Sequence, residues 1–297
     1  MTRNNWATPP IQHNLLNLSN AVCYDQLLVN SINVDSSALF LYPNEYLVYE
    51  ELANHHNVNI ESIAIGFGLS ELIPRIFSIY KHLTFKIVTP TWQMVELFCQ
   101  ANKVNYVKIN YQNFVDLSLD DLYTSNADLI YIANPNGVNG QKLSPNEILK
   151  LCDYYNLVIV DEAYSDYTDC SVLHHAETQQ NLIVTKTFSK SAGVPGLRLG
   201  YCVANKQLIK IIQELRPGYV MSGITPSLVN QLLAAMPAHL QRMNETKRYL
   251  EKTYKTIQSH SNSVLFTQPI NFNCITKEVY PNVYRMALVD HGTLHGL

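Results

Sequence analysis

The stretch TKTFSKSAGVPGLRLGY, residues 185–201, holds Lys186 and Lys190 four apart, with Arg198 eight residues beyond the second. Hydroxyls and glycines surround these cations, and no acid falls among them. A lysine amine attacks a carbonyl only without its proton, and desolvation or a neighbouring cation favours that form. Arg198 supplies such a cation, and its guanidinium can also grip a phosphate through two parallel hydrogen bonds. Thr187 and Ser189 offer hydroxyls to the same anion. The set suits a site that holds an aldehyde and a phosphate, with Lys190 near a ligand edge making a Schiff base. Taken by itself, the stretch also reads as a solvated basic loop.

Three further clusters carry chemistry. In IAIGFGLSELIPRIF (63–77), an apolar run meets Gly66, Gly68, Leu69 and Ser70 before a helical pattern begins. Glycines ahead of a helix let backbone N–H groups approach an anion that the helix dipole favours. A plain strand-to-helix turn reads the same way. Position 71 is Glu, so this is no dinucleotide fingerprint, and no G-x-x-x-x-G-K-S/T cradle for a triphosphate occurs. In VIVDEAY (158–164), Asp161 stands just past a buried run. A carboxylate there needs a cationic group, a metal such as Mg²⁺ shared with Glu162, or backbone amides. In VTPTWQM (88–94), Trp92 follows Pro90 and either stacks on a flat ligand or packs internally.

These residues need a frame. The runs FKIVTP (85–90), ADLIYIANP (127–135), NLVIVDEAY (156–164) and NLIVTKTF (181–188) read as buried strands, short and β-branched. Between them, TWQMVELFCQAN (91–102) and SPNEILKLCDYY (144–155) read as helices. The second opens with a capping box of Ser144, Pro145 and Glu147. The alternation predicts an α/β fold, a mostly parallel sheet sandwiched by helices. Ligands of such sheets gather at the carboxyl ends of strands, and each cluster above sits at one. Residues 225–260 read as a long helical stretch, capped by Thr225 with Pro226 as its first residue and broken near Pro237. SVLFTQP (263–269) and VYRMALV (283–289) read as strands. The division expected is a large domain over 40–225 and a reduced α+β small domain from 1–39 plus 226–297.

Composition narrows the function classes. The 297 residues are 47% apolar and 15% charged, enough for a sizeable core, with a net charge of −3 and no long run of one sign. Nothing there supports nucleic acid or a membrane surface as partner. Six cysteines without C-x-x-C spacing read as buried free thiols of a reducing compartment. No stretch approaches 18 apolar residues and the N-terminus has no apolar leader, so a cytoplasmic protein is expected.

TFSKSAGVPGLRLGY is similar to the lysine motif of the fold-type I pyridoxal 5′-phosphate enzymes, and the chain resembles class I/II aminotransferases from about residue 40 to 205, then again near 262 and 285. Its branch resembles that of histidinol-phosphate aminotransferase and threonine-phosphate decarboxylase. The resemblance implies pyridoxal 5′-phosphate as cofactor, with Lys190 as the Schiff-base lysine and Thr187, Ser189 and Arg198 on its phosphate. Leu69 and Ser70 would serve that phosphate from a helix start, Trp92 would stack on the ring, Asp161 would pair with the ring nitrogen, and Tyr164 would bond the ring hydroxyl. In LYPN, Tyr42 would reach the phosphate of a neighbouring subunit, which implies a homodimer. In VYRMAL, Arg285 would bind the substrate carboxylate, and in SNSVLF, Asn262 takes the family's Asn place. Three departures stand out. NPNGVNG (134–140) puts Gly137 where the family has the Asn that bonds the ring oxygen, with Asn136 and Asn139 as candidates to replace it. The span from Asn262 to Arg285 is shorter than family members use, and no arginine between Arg248 and Arg285 matches the one that grips the phosphate of histidinol phosphate. The function expected is transamination between a small amino acid and a 2-oxo acid, with no metal. Decarboxylation of an amino acid or phospho-amino acid starts from the same Schiff base, and a binding module without turnover would keep the same fold.

Overall fold

The computed structural model describes residues 25–124, 126–270 and 277–288. Strands β1 (Ile63–Phe67), β2 (Thr84–Thr89), β3 (Asn105–Asn110), β4 (Leu129–Ala133), β5 (Leu157–Asp161), β6 (Leu182–Thr187) and β7 (Leu199–Val203) form one sheet, in the order β1-β7-β6-β5-β4-β2-β3. Pairs from β6 across to β3 are parallel, while β7 runs antiparallel to both β1 and β6. The reversal places the start of β7 at the edge where β1, β2, β4, β5 and β6 end. Arg198, one residue before β7, therefore arrives beside the residues that follow those strands.

Helices α1 (Gln26–Ser31), α2 (Glu45–His56), α3 (Leu69–Ile79), α4 (Met94–Asn102), α5 (Leu119–Leu122), α6 (Pro145–Leu151), α7 (Leu173–Ala176), α8 (Lys206–Glu214) and α9 (Thr225–Thr253) complete the layers with a second sheet. That sheet is antiparallel, built from β8 (Thr256–Ile257), β9 (Ser263–Phe266), β10 (Lys277–Tyr280) and β11 (Val283–Ala287), in the order β10-β11-β9-β8. Period-two alternation splits the strand side chains of the large sheet between two cores. Ile130, Ile132, Val158, Val160 and Val184 meet α2, α6 and the first half of α9 through Val48, Leu52, Ile148 and Leu232. Phe85, Ile87, Tyr131, Ile159 and Ile183 meet α3, α4 and α8 through Leu72, Ile76, Val95 and Ile212. Burying each such aliphatic side chain contributes about 1.5–3 kcal/mol, so both helical layers hold the sheet.

The four buried runs expected as strands form β2, β4, β5 and β6, the apolar run ahead of Gly66 forms β1, and the capping box is present. Ser144 N donates to Glu147 Oε2 at 2.7 Å while Glu147 N donates to Ser144 Oγ at 3.3 Å. The two expected C-terminal strands form as β9 and β11, with Val289 outside the described residues. Strands β3 and β7 escaped the sequence reading, one because it is a polar edge strand, the other because it is hidden inside the lysine motif.

The long helix departs from expectation. Helix α9 runs 29 residues without a break at Pro237, and its N-cap is Ile224, so Thr225 is already helical. Proline forfeits an N–H bond to the preceding turn, but buried residues flank it on both sides. Leu228, Leu232 and Met236 join the core of the large sheet, while Met243 and Leu250 pack with Val264, Phe266 and Met286 of the small one. Asp25, buried at the N-cap of α1, ties the chain's earlier part to the same helix. Arg242 Nη2 and Nε donate to its Oδ2 at 2.6 and 2.9 Å, and His239 Nδ1 lies 2.8 Å from that oxygen. Residues 1–24 of the expected small domain lie outside the described residues. Cys99, Cys152, Cys170 and Cys202 are buried and free. Among the described residues no helix is long and apolar enough to cross a membrane.

Candidate active site

A cavity of about 780 Å³ opens at the carboxyl edge of the large sheet, against β10 and β11 of the small one. Leu69, Ser70, Trp92, Asp161, Tyr164, Thr187, Ser189, Lys190, Arg198 and Arg285 all line it. Of the residues expected to hold cofactor or substrate, Tyr42 does not line it: it is 79% exposed and stacks on Tyr219 with ring centroids 4.3 Å apart.

Part of the cavity lining is built for an anion. Arg198 takes a left-handed φ of 56°, unusual for a residue with a side chain. Its Nη1 donates to Pro195 O at 3.1 Å and its Nη2 to Ser70 Oγ at 3.2 Å. Thr187 Oγ1 accepts from Ser189 N at 3.1 Å, holding the two hydroxyl residues in one turn. Two glycines make the approach possible. A Cβ on Gly68 would stand 2.6 Å from Arg198 Nη2, and one on Gly200 would stand 2.7 Å from Leu69 N. The first turn of α3, whose N–H groups have no partner within the helix, thus lies against β7 and the guanidinium with no side chain between them. First-turn N–H groups, a guanidinium and hydroxyls are the donor set of a phosphate site.

The same cavity is lined by a buried acid. Asp161 closes β5 and is 5% exposed. Tyr131 Oη donates to its Oδ2 at 2.7 Å and Ala163 N to its Oδ1 at 3.0 Å. Burial raises the Asp161 carboxyl above its ordinary range, against the pull of these bonds and of the Lys190 charge. A cationic ring nitrogen set against that carboxylate would favour its charged form, so an acid and a set of phosphate donors lining one cavity fit pyridoxal 5′-phosphate. Glu162 turns away from the cavity and does not join Asp161 in a metal site: its Oε1 accepts from Val172 N at 2.6 Å and its Oε2 from Ser171 Oγ at 2.5 Å. Among the described residues no group of three or more His, Cys, Asp or Glu is placed to hold a metal ion.

The two lysines of the opening stretch part company. Lys190, half-buried in the loop after β6, has its Nζ 5.8 Å from the centroid of the Tyr164 ring, and Tyr167 Oη donates to its backbone carbonyl at 3.2 Å. Lys186 lies within β6 on the face it shares with Val184. Its buried Nζ donates to Asp166 Oδ1 at 2.5 Å and to Ser165 Oγ at 3.0 Å.

The loop 134–140 settles the question about its asparagines. Asn136 Nδ2 donates to Pro90 O at 2.7 Å and its Oδ1 accepts from Val138 N at 2.8 Å. Asn139 Nδ2 donates to Phe114 O at 2.7 Å and its Oδ1 accepts from Gln141 N at 3.1 Å. Both are buried and neither lines the cavity, so neither takes the place left at Gly137. Arg285 Nη1 donates to Gly137 O at 2.6 Å, which bolts this loop to β11. Asn262, fully buried, accepts from Leu288 N through its backbone carbonyl at 3.0 Å.

Sequence reasoning missed Tyr131, Thr91 and Glu278. Tyr131 had one visible signal, a hydroxyl inside an otherwise aliphatic strand. Glu278 had none, because it reaches the cavity only through the pairing of β10 with β11.

A family model described as aminotransferase class I and II matches residues 40–289. The histidinol-phosphate aminotransferase of Pyrococcus furiosus is 26% identical over 244 residues, covering 81% of this chain and 70% of that protein. Among solved structures, histidinol-phosphate aminotransferase from Sinorhizobium meliloti in complex with pyridoxal 5′-phosphate superposes with a TM-score of 0.80 at 16% identity, over 99% of this chain and 96% of that one. L-threonine-O-3-phosphate decarboxylase from Porphyromonas gingivalis superposes with a TM-score of 0.71 at 18% identity, over 91% of each chain.

Proposed function

The chain belongs to the aminotransferase class I and II family and is a pyridoxal 5′-phosphate-dependent aminotransferase; from that premise we propose that it takes the amino group from a small amino acid whose carboxylate is held by Arg285. The observation that carries this reading is that Lys190, Asp161, Arg198 and Arg285 surround one cavity. When bound, pyridoxal 5′-phosphate supplies an electrophilic aldehyde carbon and a ring that draws electrons from the substrate Cα. Everything else falls to the chain's own residues.

In this reading Ser70, Thr187, Ser189 and Arg198, with the N–H groups at Leu69 and Ser70, hold the phosphate. Trp92 would flank the ring and Tyr164 would donate to its hydroxyl oxygen. Asp161 keeps the proton on the ring nitrogen, which the low dielectric of its surroundings makes effective. Arg285 grips the substrate carboxylate in two hydrogen bonds and so fixes which Cα bond faces the ring. Lys190 Nζ would hold the cofactor and, in its neutral form, would move a proton to and from the substrate Cα. The Gly137 carbonyl steadies Arg285 while it does so.

The want of an arginine between Arg248 and Arg285 supports a substrate without the phosphate of histidinol phosphate. We further propose a cytoplasmic homodimer, with the large domain over 40–225 and the remainder as the small one. The exposed apolar run Leu39, Phe40, Leu41 and Tyr42 supports a second copy packed there, with exposures of 64%, 90%, 69% and 79%. The test is an amino-acid screen on the purified, cofactor-loaded protein, read by the cofactor's absorbance and by product. A spectral shift with one amino acid and release of its keto acid supports the reading. Release of CO₂ would make it a decarboxylase, and a spectrum indifferent to every amino acid would make it a binding module.

A further inference from the structure

We infer that Tyr131 is a positioning residue for the cofactor: its phenol fixes the Asp161 carboxylate toward the ring nitrogen. The inference rests on the reading of Asp161 given above. Strand pairing makes the contact. Tyr131 is opposite Ile159 in the β4–β5 register, and Asp161 lies two residues further along β5, on the same face. Diagonal neighbours of this kind are within reach of a long aromatic side chain. Tyr131 Oη spans the gap and donates to Asp161 Oδ2 at 2.7 Å.

The phenol cannot swing away. Tyr131 is fully buried, and its ring meets Phe77 of α3 edge-on, with centroids 5.9 Å apart and planes at 85°. Phe77 in turn meets Phe85 of β2 at 5.0 Å and 89°. Burial and the neighbouring Asp161 charge push the Tyr131 hydroxyl well above its ordinary range, so it stays a donor. With Ala163 N on Oδ1 and Tyr131 on Oδ2, the carboxylate plane is set from both oxygens. One phenolic donor and one backbone donor leave its remaining lone pairs for a cation in the cavity. Two buried hydrogen bonds to an ion also lower the cost of keeping it charged where burial opposes the charge.

The experiment is Tyr131→Phe, which keeps the packed ring and removes one oxygen. Pyridoxal 5′-phosphate affinity is titrated against pH for the wild type, Tyr131→Phe, Asp161→Asn and the double variant, with thermal unfolding of the apo forms as a folding control. The other ionisable side chains lining the cavity are Lys190, Tyr164, Arg198, Glu278 and Arg285, and all are common to both members of each pair compared. Tyr131→Phe is expected to weaken cofactor affinity on the order of tenfold, the size of a lost hydrogen bond to a charged group. Its affinity is also expected to fall at a higher pH on acidification, because the carboxylate has lost a donor. In the Asp161→Asn background the same change should make no further difference. Unchanged affinity and an unchanged acid limb in Tyr131→Phe would overturn the inference. So would an equal loss in the Asp161→Asn background, which marks a packing role only. A wild type that takes up no cofactor would instead strike at the proposed function.

Discussion

Gly137 lies directly against Tyr164: a Cβ at position 137 would stand 2.3 Å from Tyr164 Cε2 and 2.9 Å from the phenolic oxygen. The Tyr164 ring thus fills the volume in which the family pattern expects an asparagine side chain. Gly137→Ala is expected to force that ring aside. The cost should be about 1–3 kcal/mol of stability, as for other overpacked sites, together with weaker cofactor binding. Thermal unfolding and a cofactor titration check both. A variant with wild-type stability and affinity would mean that Tyr164 has room to move and holds nothing in place.

Lys186 and Lys190 differ in surroundings despite their spacing, the first paired with Asp166 and the second lining the cavity. Burial pushes the Asp166 carboxyl up, but the Lys186 ammonium overcomes this and holds it below the ordinary carboxylate range. Lys186→Met leaves that half-buried carboxylate without its cation and should cost about 1.5–3 kcal/mol. Adding Asp166→Leu should recover much of the loss, because an apolar pair of similar size carries no desolvation penalty. Urea unfolding of the two variants tests this; a single variant as stable as wild type would contradict it.

His56 makes stability fall with acid. Burial first, then the Lys186 charge, lowers its imidazole from the ordinary 6.5 to about 3, and it shares a 2.7 Å hydrogen bond with Tyr201 Oη. Between those two values the unfolded chain binds a proton that the folded chain does not, so stability rises with pH across the window. The contribution is present in full above pH 6.5 and is lost as pH falls toward 3. A tenfold change in proton affinity corresponds to about 1.4 kcal/mol, which bounds the contribution at a few kcal/mol. His56→Gln should flatten the slope of stability against pH over that window. An unchanged slope would show that other groups set it.

Tyr42 is expected to act across a dimer interface. Phe40→Glu should yield monomers by sedimentation, and Tyr42→Ala should leave the dimer intact while weakening cofactor affinity about tenfold, the value of a lost hydrogen bond to a charged group. A monomeric wild type with full affinity would remove Tyr42 from the site.

Much of the site was legible because motifs at strand ends carry their own chemistry. Asp161, Lys190 and Arg198 could be placed on one edge from strand patterns and a resemblance, without knowing the register. Tyr131 could not, since its partner depends on which residue of β5 lies opposite it. Glu278 depends on a short hairpin whose sequence gives no strong strand signal. Proline statistics misled at Pro237, where burial of Met236, His239 and Met243 outweighs the lost N–H bond. The inner parallel strands β2, β4, β5 and β6 were easy to find because burial on both faces demands continuous apolar runs, which the polar edge strand β3 lacks.

All of the chemistry proposed above needs Lys190 Nζ to carry the cofactor. Borohydride reduction of the cofactor-loaded protein, followed by peptide mass analysis, locates the attached nitrogen directly. Wild type should carry a reduced pyridoxyl adduct on Lys190, and Lys190→Ala should carry none. An adduct on Lys186 or any other lysine, or a loaded Lys190→Ala variant with an unchanged spectrum, would contradict it.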